Sequence, residues 1–209
     1  TSKSSQFLSA LLLISPYLLD KLKLEYNSDM PSRSYVLMTL DLLKKVGGEI
    51  KLGDGTIELL PAKLIGKVQV ERDWSSAAFF YSLVALSEEL ALSFPGLTLD
   101  SMQGDAALVE IFLKLGVQTK EIENGLNISR IPLASRHFFY DFKDCPDLAL
   151  PVIACCAGLQ MMASFRGLRN LKYKESNRLD ALTKELAKLG YDLRETSDDE
   201  AVLLNDCTL

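Results

Sequence analysis

Histidine is nearly missing from this chain, and its cysteines are few and unarranged. One His (His137) and four Cys (Cys145, Cys155, Cys156, Cys207) stand among 209 residues, with no C-x-x-C spacing and no His cluster. Zinc sites need clustered Cys and His, and disulfide frameworks need regularly spaced Cys, so the pattern argues against both. It fits a reducing, cytoplasmic setting. His137, in "HFFYDF", reads as structural. Positive charge is not in excess either. A net charge of −5 and a pI near 5.0 weigh against a general binder of nucleic acid or anionic membrane. No apolar run is long and clean enough to span a bilayer. The longest, from Leu148 to Phe165, contains Pro151, Gly158 and Gln160 and lacks basic flanks, which predicts a buried helix. No signal peptide or targeting run is visible. What the chain does have is apolar material, 48% of residues against 24% charged, enough for one large or two modest cores.

That material is arranged in a repeat. "SSQFLSALLL" from Ser4, "SSAAFFYSLVAL" from Ser75 and "PDLALPVIACCAGL" from Pro146 begin alike, and Ser5, Ser76 and Asp147 are 71 residues apart each time. A second helix type follows each, ending on "LLKKVGGEI", "FLKLGVQT" and "LAKLGYDL", with Gly47, Gly116 and Gly190 at C-cap positions. Leu179, Leu182, Leu186 and Leu189 recur at near-helical spacing with charged residues between them, so one face of that helix is buried. Short segments at 21–26, 49–52, 57–60, 67–71 and 126–131, with others near 138–142 and at 200–204, read as strands. Each unit of about 70 residues then reads strand, helix, strand, helix, strand, strand, an α/β module. A leading strand is missing before Ser4, and the chain stops soon after 204. We therefore expect a fragment of a longer protein.

Helix N-termini collect unpaired N–H groups and partial positive charge, which makes them anion sites when suitable side chains surround them. Ser4, Ser5 and Gln6 supply two hydroxyls and an amide at such a start, with Lys3 nearby; simple capping is the alternative, and it is the reading for Ser75 and Ser76. In "RNLKYKESNRLDAL", Lys174, Glu175 and Arg178 are placed at the beginning of a helix, on neighbouring faces of one turn. Two cations there oppose the helix dipole, and an anion would relieve them; a solvated mixed-charge face is the alternative. Asp147 is either a cap or a partly buried general base.

Taken together, S-S-Q-F at 4–7, P-S-R-S-Y at 31–35, S-M-Q-G-D at 101–105, C-P-D-L-A at 145–149 and K-E-S-N-R at 174–178 resemble the 5-enolpyruvylshikimate-3-phosphate (EPSP) synthase family, in order and spacing, from the first residue to about residue 190. The resemblance implies an α/β fold of repeated βαβαββ units in a two-domain enolpyruvyl-transferase-like architecture. Residues 1–70 would be part of the shikimate-binding domain and 71–209 part of the second. It implies enolpyruvyl transfer from phosphoenolpyruvate to the 5-hydroxyl of shikimate-3-phosphate, a step in aromatic amino-acid biosynthesis, with no cofactor or metal, in a monomer. Ser4, Ser5, Gln6, Ser32, Tyr35, Asp147, Asn170 and Lys174 would bind shikimate-3-phosphate, while Gln6 and Arg178 would touch phosphoenolpyruvate. Asp147 would take the proton from the hydroxyl and Glu175 would protonate the methylene carbon.

The pattern is not complete. The family also draws basic residues for phosphoenolpyruvate from segments before and after this stretch, so the fragment alone is expected to be inactive. Asn177 stands where K-E-x-D-R has Asp, and Trp74 stands where a small residue is usual. Three rivals remain. They are the sister transferase acting on UDP-N-acetylglucosamine, a non-catalytic α/β binding module, and the RNA phosphate cyclase group, whose substrate calls for a basic surface.

Overall fold

The computed structural model describes residues 6–26, 32–174 and 176–204. They divide into two compact units. One takes in the chain up to Val70 together with Met102–Gly104; the other holds Glu71–Ser101 and the chain from Asp105 onward.

In the first unit the order is α1 (Gln6–Ile14), β1 (Leu22–Glu25), α2 (Arg33–Lys45), β2 (Ile50–Gly53) and β3 (Thr56–Leu59). The second unit opens with α3 (Trp74–Leu86), β4 (Ala91–Pro95), α4 (Leu108–Lys114), β5 (Val117–Ile122) and β6 (Gly125–Arg130). It continues with β7 (His137–Asp141), α5 (Ala149–Gly158), β8 (Met162–Arg166), α6 (Arg178–Lys188), β9 (Asp192–Glu195) and β10 (Glu200–Leu204). The sheets run β1-β3-β2, β4-β6-β5 and β7-β8-β10-β9. In each, the last strand of the module lies between the other two, and all these pairings are antiparallel. The third module adds β7, parallel to β8 across α5. The sequence repeat is therefore a repeat of topology, and the α/β reading holds. The leading strand predicted at 67–71 does not form: the segment is irregular and Val70 is 87% exposed, and among the described residues no strand pairs with it where the chain passes from one unit to the other.

The helix stops follow from backbone geometry. Gly47, Gly116 and Gly190 all take positive φ, at 91°, 80° and 85°. After α2 the Gly48 N–H donates to Leu43 O (2.8 Å) and Gly47 N–H to Lys44 O (3.1 Å); after α6 Tyr191 and Gly190 make the same pair of bonds to Leu186 O and Ala187 O. These are Schellman closures, which the left-handed residue permits. α5 closes identically, with Met161 N–H on Cys156 O and Gln160 N–H on Ala157 O, but its left-handed residue is Gln160, at φ 54°. The apolar stretch predicted as one helix to Phe165 thus stops at Gly158, and its last residues form β8. Left-handed geometry costs a residue with a Cβ about 1–2 kcal/mol, while glycine gives back about 0.5–1 kcal/mol in chain entropy. Gln160→Gly is therefore expected to stabilise the second unit by about 0.5–1 kcal/mol, read as a higher urea midpoint with an unchanged slope.

The larger core gathers Trp74, Tyr81, Phe112, Phe142 and Phe165 with the inner faces of α3, α5 and α6, and the smaller one centres on Leu12, Val36, Leu40, Leu43, Ile57 and Leu59. Trp74 is the first residue of α3 and only 1% exposed, so it acts as a core residue. Leu189 of the predicted apolar stripe is exposed beyond the end of α6. α1 is not the buried helix its composition predicts: only Leu12 is buried, and Phe7, Leu11, Leu13 and Ile14 are exposed. The helix is apolar on every side, and a core of this size covers one side of it. His137 is exposed at the start of β7. No helix among the described residues is long and apolar enough to cross a membrane.

Candidate active site

The predicted site residues fall in both units. Ser4, Ser5 and Glu175 lie outside the described residues. Gln6 is the first residue of α1, and α1 packs on α2. Ser32 occupies the N-cap position of α2 but not in the usual extended conformation. It is left-handed (φ 58°, ψ 34°), nearly buried, and its side chain makes no cap bond, while its carbonyl accepts the Tyr35 N–H at 3.2 Å. A non-glycine residue held there is strained, and such strain concentrates at functional positions.

In the second unit the structure brings distant residues together. Asp147 lies in the 3-10 turn Pro146–Leu148 that leads into α5. That turn packs against another, Arg169–Tyr173, which contains Asn170 and ends on Lys174. Arg178 opens α6, which packs on α5. Arg178 Nη1 donates to Asp147 Oδ1 at 3.0 Å, and Lys174 Nζ stands 3.5 Å from the same oxygen. All three side chains are partly buried, at 31%, 27% and 20% exposure for Asp147, Arg178 and Lys174. The anion that the two cations call for is thus a carboxylate of the chain itself.

Three local expectations change. The α5 cap position is Leu148, and the Asp147 carboxylate faces Arg178 and Lys174. Lys174 is not in a helical turn with Arg178, because Asn177 accepts the Asp180 N–H at 3.1 Å and starts α6 there. Asn177 is an effective N-cap. At α3 the cap is Asp73, not a serine; Asp73 accepts from the Ser75 N–H at 2.9 Å and from the Ser76 hydroxyl, which holds its carboxyl below the usual range. Ser75 instead donates to the buried Asp105 at 2.5 Å, joining the S-M-Q-G-D stretch to α3.

Among the described residues no cluster of His, Cys, Asp or Glu is placed to hold a metal ion. Burial pushes the Cys145 and Cys155 thiols up to about 12, so both stay protonated and act as packing groups. Sequence reasoning did not find the acidic turn after β9, which meets the 169–173 turn through Asp198 and its neighbours. The signal was there as "RNLK" at 169–172 and "ETSDDE" at 195–200, but ion pairing between two turns distant in sequence has no fixed spacing.

An EPSP synthase from Acinetobacter baumannii superposes on 97% of this chain, and on 47% of its own, with a TM-score of 0.65 at 21% identity. The fold is that of the enolpyruvyl transferases. The family model for EPSP synthase (3-phosphoshikimate 1-carboxyvinyltransferase) matches residues 1–205, and the chain belongs to that family. Relatives named 3-phosphoshikimate 1-carboxyvinyltransferase include one from Bacteroides fragilis, 38% identical over 197 residues (93% of this chain, 48% of the relative). Another, from Methanopyrus kandleri, is 34% identical over 196 residues (93% and 45%). The chain spans about half the length of the relatives it matches.

Proposed function

We propose that a protein of the relatives' full length carrying this sequence transfers the enolpyruvyl group of phosphoenolpyruvate to the 5-hydroxyl of shikimate-3-phosphate and releases phosphate. The observation that carries the reading is the Asp147 carboxylate held by Lys174 and Arg178 in a partly buried site. In this reading Asp147 takes the hydroxyl proton as the oxygen attacks C2 of phosphoenolpyruvate, and Glu175 protonates the methylene carbon, giving a tetrahedral ketal. Loss of phosphate and of one methyl proton then restores the double bond as an enol ether. One carboxyl acts as base and the other as acid, as in other enzymes that divide two carboxyls between opposite tasks. Lys174 and Arg178 supply fixed positive charge for the phosphates and the charge that develops between them.

Ser4, Ser5, Gln6, Ser32, Tyr35 and Asn170 complete the shikimate-3-phosphate contacts, and Gln6 with Arg178 reaches phosphoenolpyruvate. Ser32 supports this assignment by its strained, nearly buried position. The domain assignment is part of the same proposal, with residues 1–70 in the shikimate-binding domain and 71–209 in the second. The protein is taken to act in the cytoplasm as a monomer without a cofactor, and the 209-residue chain alone to be inactive. The test is phosphate release from phosphoenolpyruvate by the full-length protein. It is expected to depend strictly on shikimate-3-phosphate; release supported instead by UDP-N-acetylglucosamine overturns the assignment.

A further inference from the structure

We propose that the acidic turn joining β9 to β10 is a latch that positions the 168–174 segment, and that Glu195, Asp198 and Asp199 are therefore positioning residues for Asn170 and Lys174. Lys172 Nζ lies 2.5 Å from Glu195 Oε2 and 3.2 Å from Asp198 Oδ1. The other Asp198 oxygen takes Arg169 Nε at 2.8 Å. Asp199 holds the backbone itself: its carbonyl accepts the Leu168 N–H at 3.1 Å and its Oδ1 accepts the Arg169 N–H at 3.0 Å. The turn is braced in its own right, since Thr196 and Ser197 N–H both donate to Glu200 O, Asp199 N–H donates to Ser197 Oγ, and Glu200 pairs with Arg166 on β8.

These bonds matter because of what they hold. A five-residue 3-10 turn has poor internal hydrogen bonding and does not fix its own place. Leu171, fully buried, anchors it from below, and the acidic turn fixes it from the side. Ion pairs on open surface contribute little, but Lys172 is only 16% exposed, and two of the contacts are made to main-chain N–H groups. The Glu195 hydrogen bond raises the Lys172 pKa above the ordinary lysine value, so the charge is in place throughout neutral pH. Asn170 and Lys174 lie within or directly beyond the latched residues, and Lys174 meets Asp147 only if this stretch keeps its path.

That Asn170 and Lys174 serve shikimate-3-phosphate rests on the function proposed above; the latch itself does not. The test combines Glu195→Gln with Asp198→Asn. In the 209-residue chain, amide hydrogen exchange across 168–174 is expected to speed up about tenfold, with α3 and α5 unchanged. Lys172→Met should reproduce the effect, and Lys172→Arg should restore normal exchange. In the full-length protein the double variant is expected to raise KM for shikimate-3-phosphate about tenfold, with a smaller change in kcat. Unchanged exchange, exchange rising equally throughout the second unit, or faster exchange with an unaltered KM would each overturn the proposal. If the unmodified full-length protein releases no phosphate with shikimate-3-phosphate, the proposed reaction fails, and the exchange result alone judges the latch.

Discussion

Asp147→Asn is expected to lower kcat of the full-length protein by about 10²–10⁴, the range that loss of a general base produces, while KM for the two anionic substrates stays level or falls. The direction of KM follows from charge. Asparagine keeps the shape of the side chain but leaves Arg178 and Lys174 without the carboxylate they now face at 3.0 and 3.5 Å. Their positive charge is then more available to phosphate and carboxylate groups. Stability should change little: a partly exposed ion pair contributes about 0–1 kcal/mol, far too little for unfolding to imitate a thousandfold loss of rate. The measurement is steady-state phosphate release beside a urea melt. A kcat within tenfold of the unmodified protein removes Asp147 from the base role. A parallel collapse of the melt would mean that the pair serves the fold.

Much of the fold could be read in advance because its punctuation is chemical. Gly47, Gly116 and Gly190 mark three helix ends, and all three take the left-handed conformation that glycine favours. Where another residue does the same task, the reading fails: Gln160 closes α5 with bonds identical to those after Gly47 and Gly190, and without the glycine signal β8 disappears into the helix before it. Pairing was less legible still. "KVQVE" alternates as a strand should and β1 does too, but β1 has β3 beside it, and among the described residues no strand forms at 67–71.

The meeting of Asp147 with Lys174 and Arg178 was legible by a different route. Nothing in periodicity says that Asp147 meets residues 27 and 31 positions further on. The family motifs named these residues, and the packing of the two 3-10 turns and α6 accounts for their meeting. The acidic latch belongs to no motif. Its partners are matched by charge across a turn, so it becomes visible only when the chain is folded.

Gly167→Ala is expected to destabilise the second unit by about 3 kcal/mol, roughly twice the effect of the same change at Gly190. Both glycines are left-handed, at φ 78° and 85°, so both substitutions carry the steric cost of that conformation, about 1–2 kcal/mol. They differ in surroundings. A Cβ at Gly190 meets nothing within 4 Å, whereas one at Gly167 falls 2.3 Å from Lys143 N, 2.7 Å from Asp141 Oδ1 and 2.8 Å from Phe142 C. That backbone is not free to retreat. The Phe142 N–H donates to Arg166 O at 2.8 Å, and the Phe142 ring is fully buried, with centroids 5.0 Å from Tyr140 and 6.4 Å from Phe165. Forcing a methyl group into such packing costs about 1–3 kcal/mol more. The next residue, Leu168, donates its N–H to Asp199, so relief of the clash by moving the chain loosens the latch as well. Trp74 is the single tryptophan, buried in the second unit, and its fluorescence during urea unfolding reports the transition directly. Equal losses for the two alanine variants would mean that the close approach at Gly167 contributes nothing and that backbone strain is the whole effect.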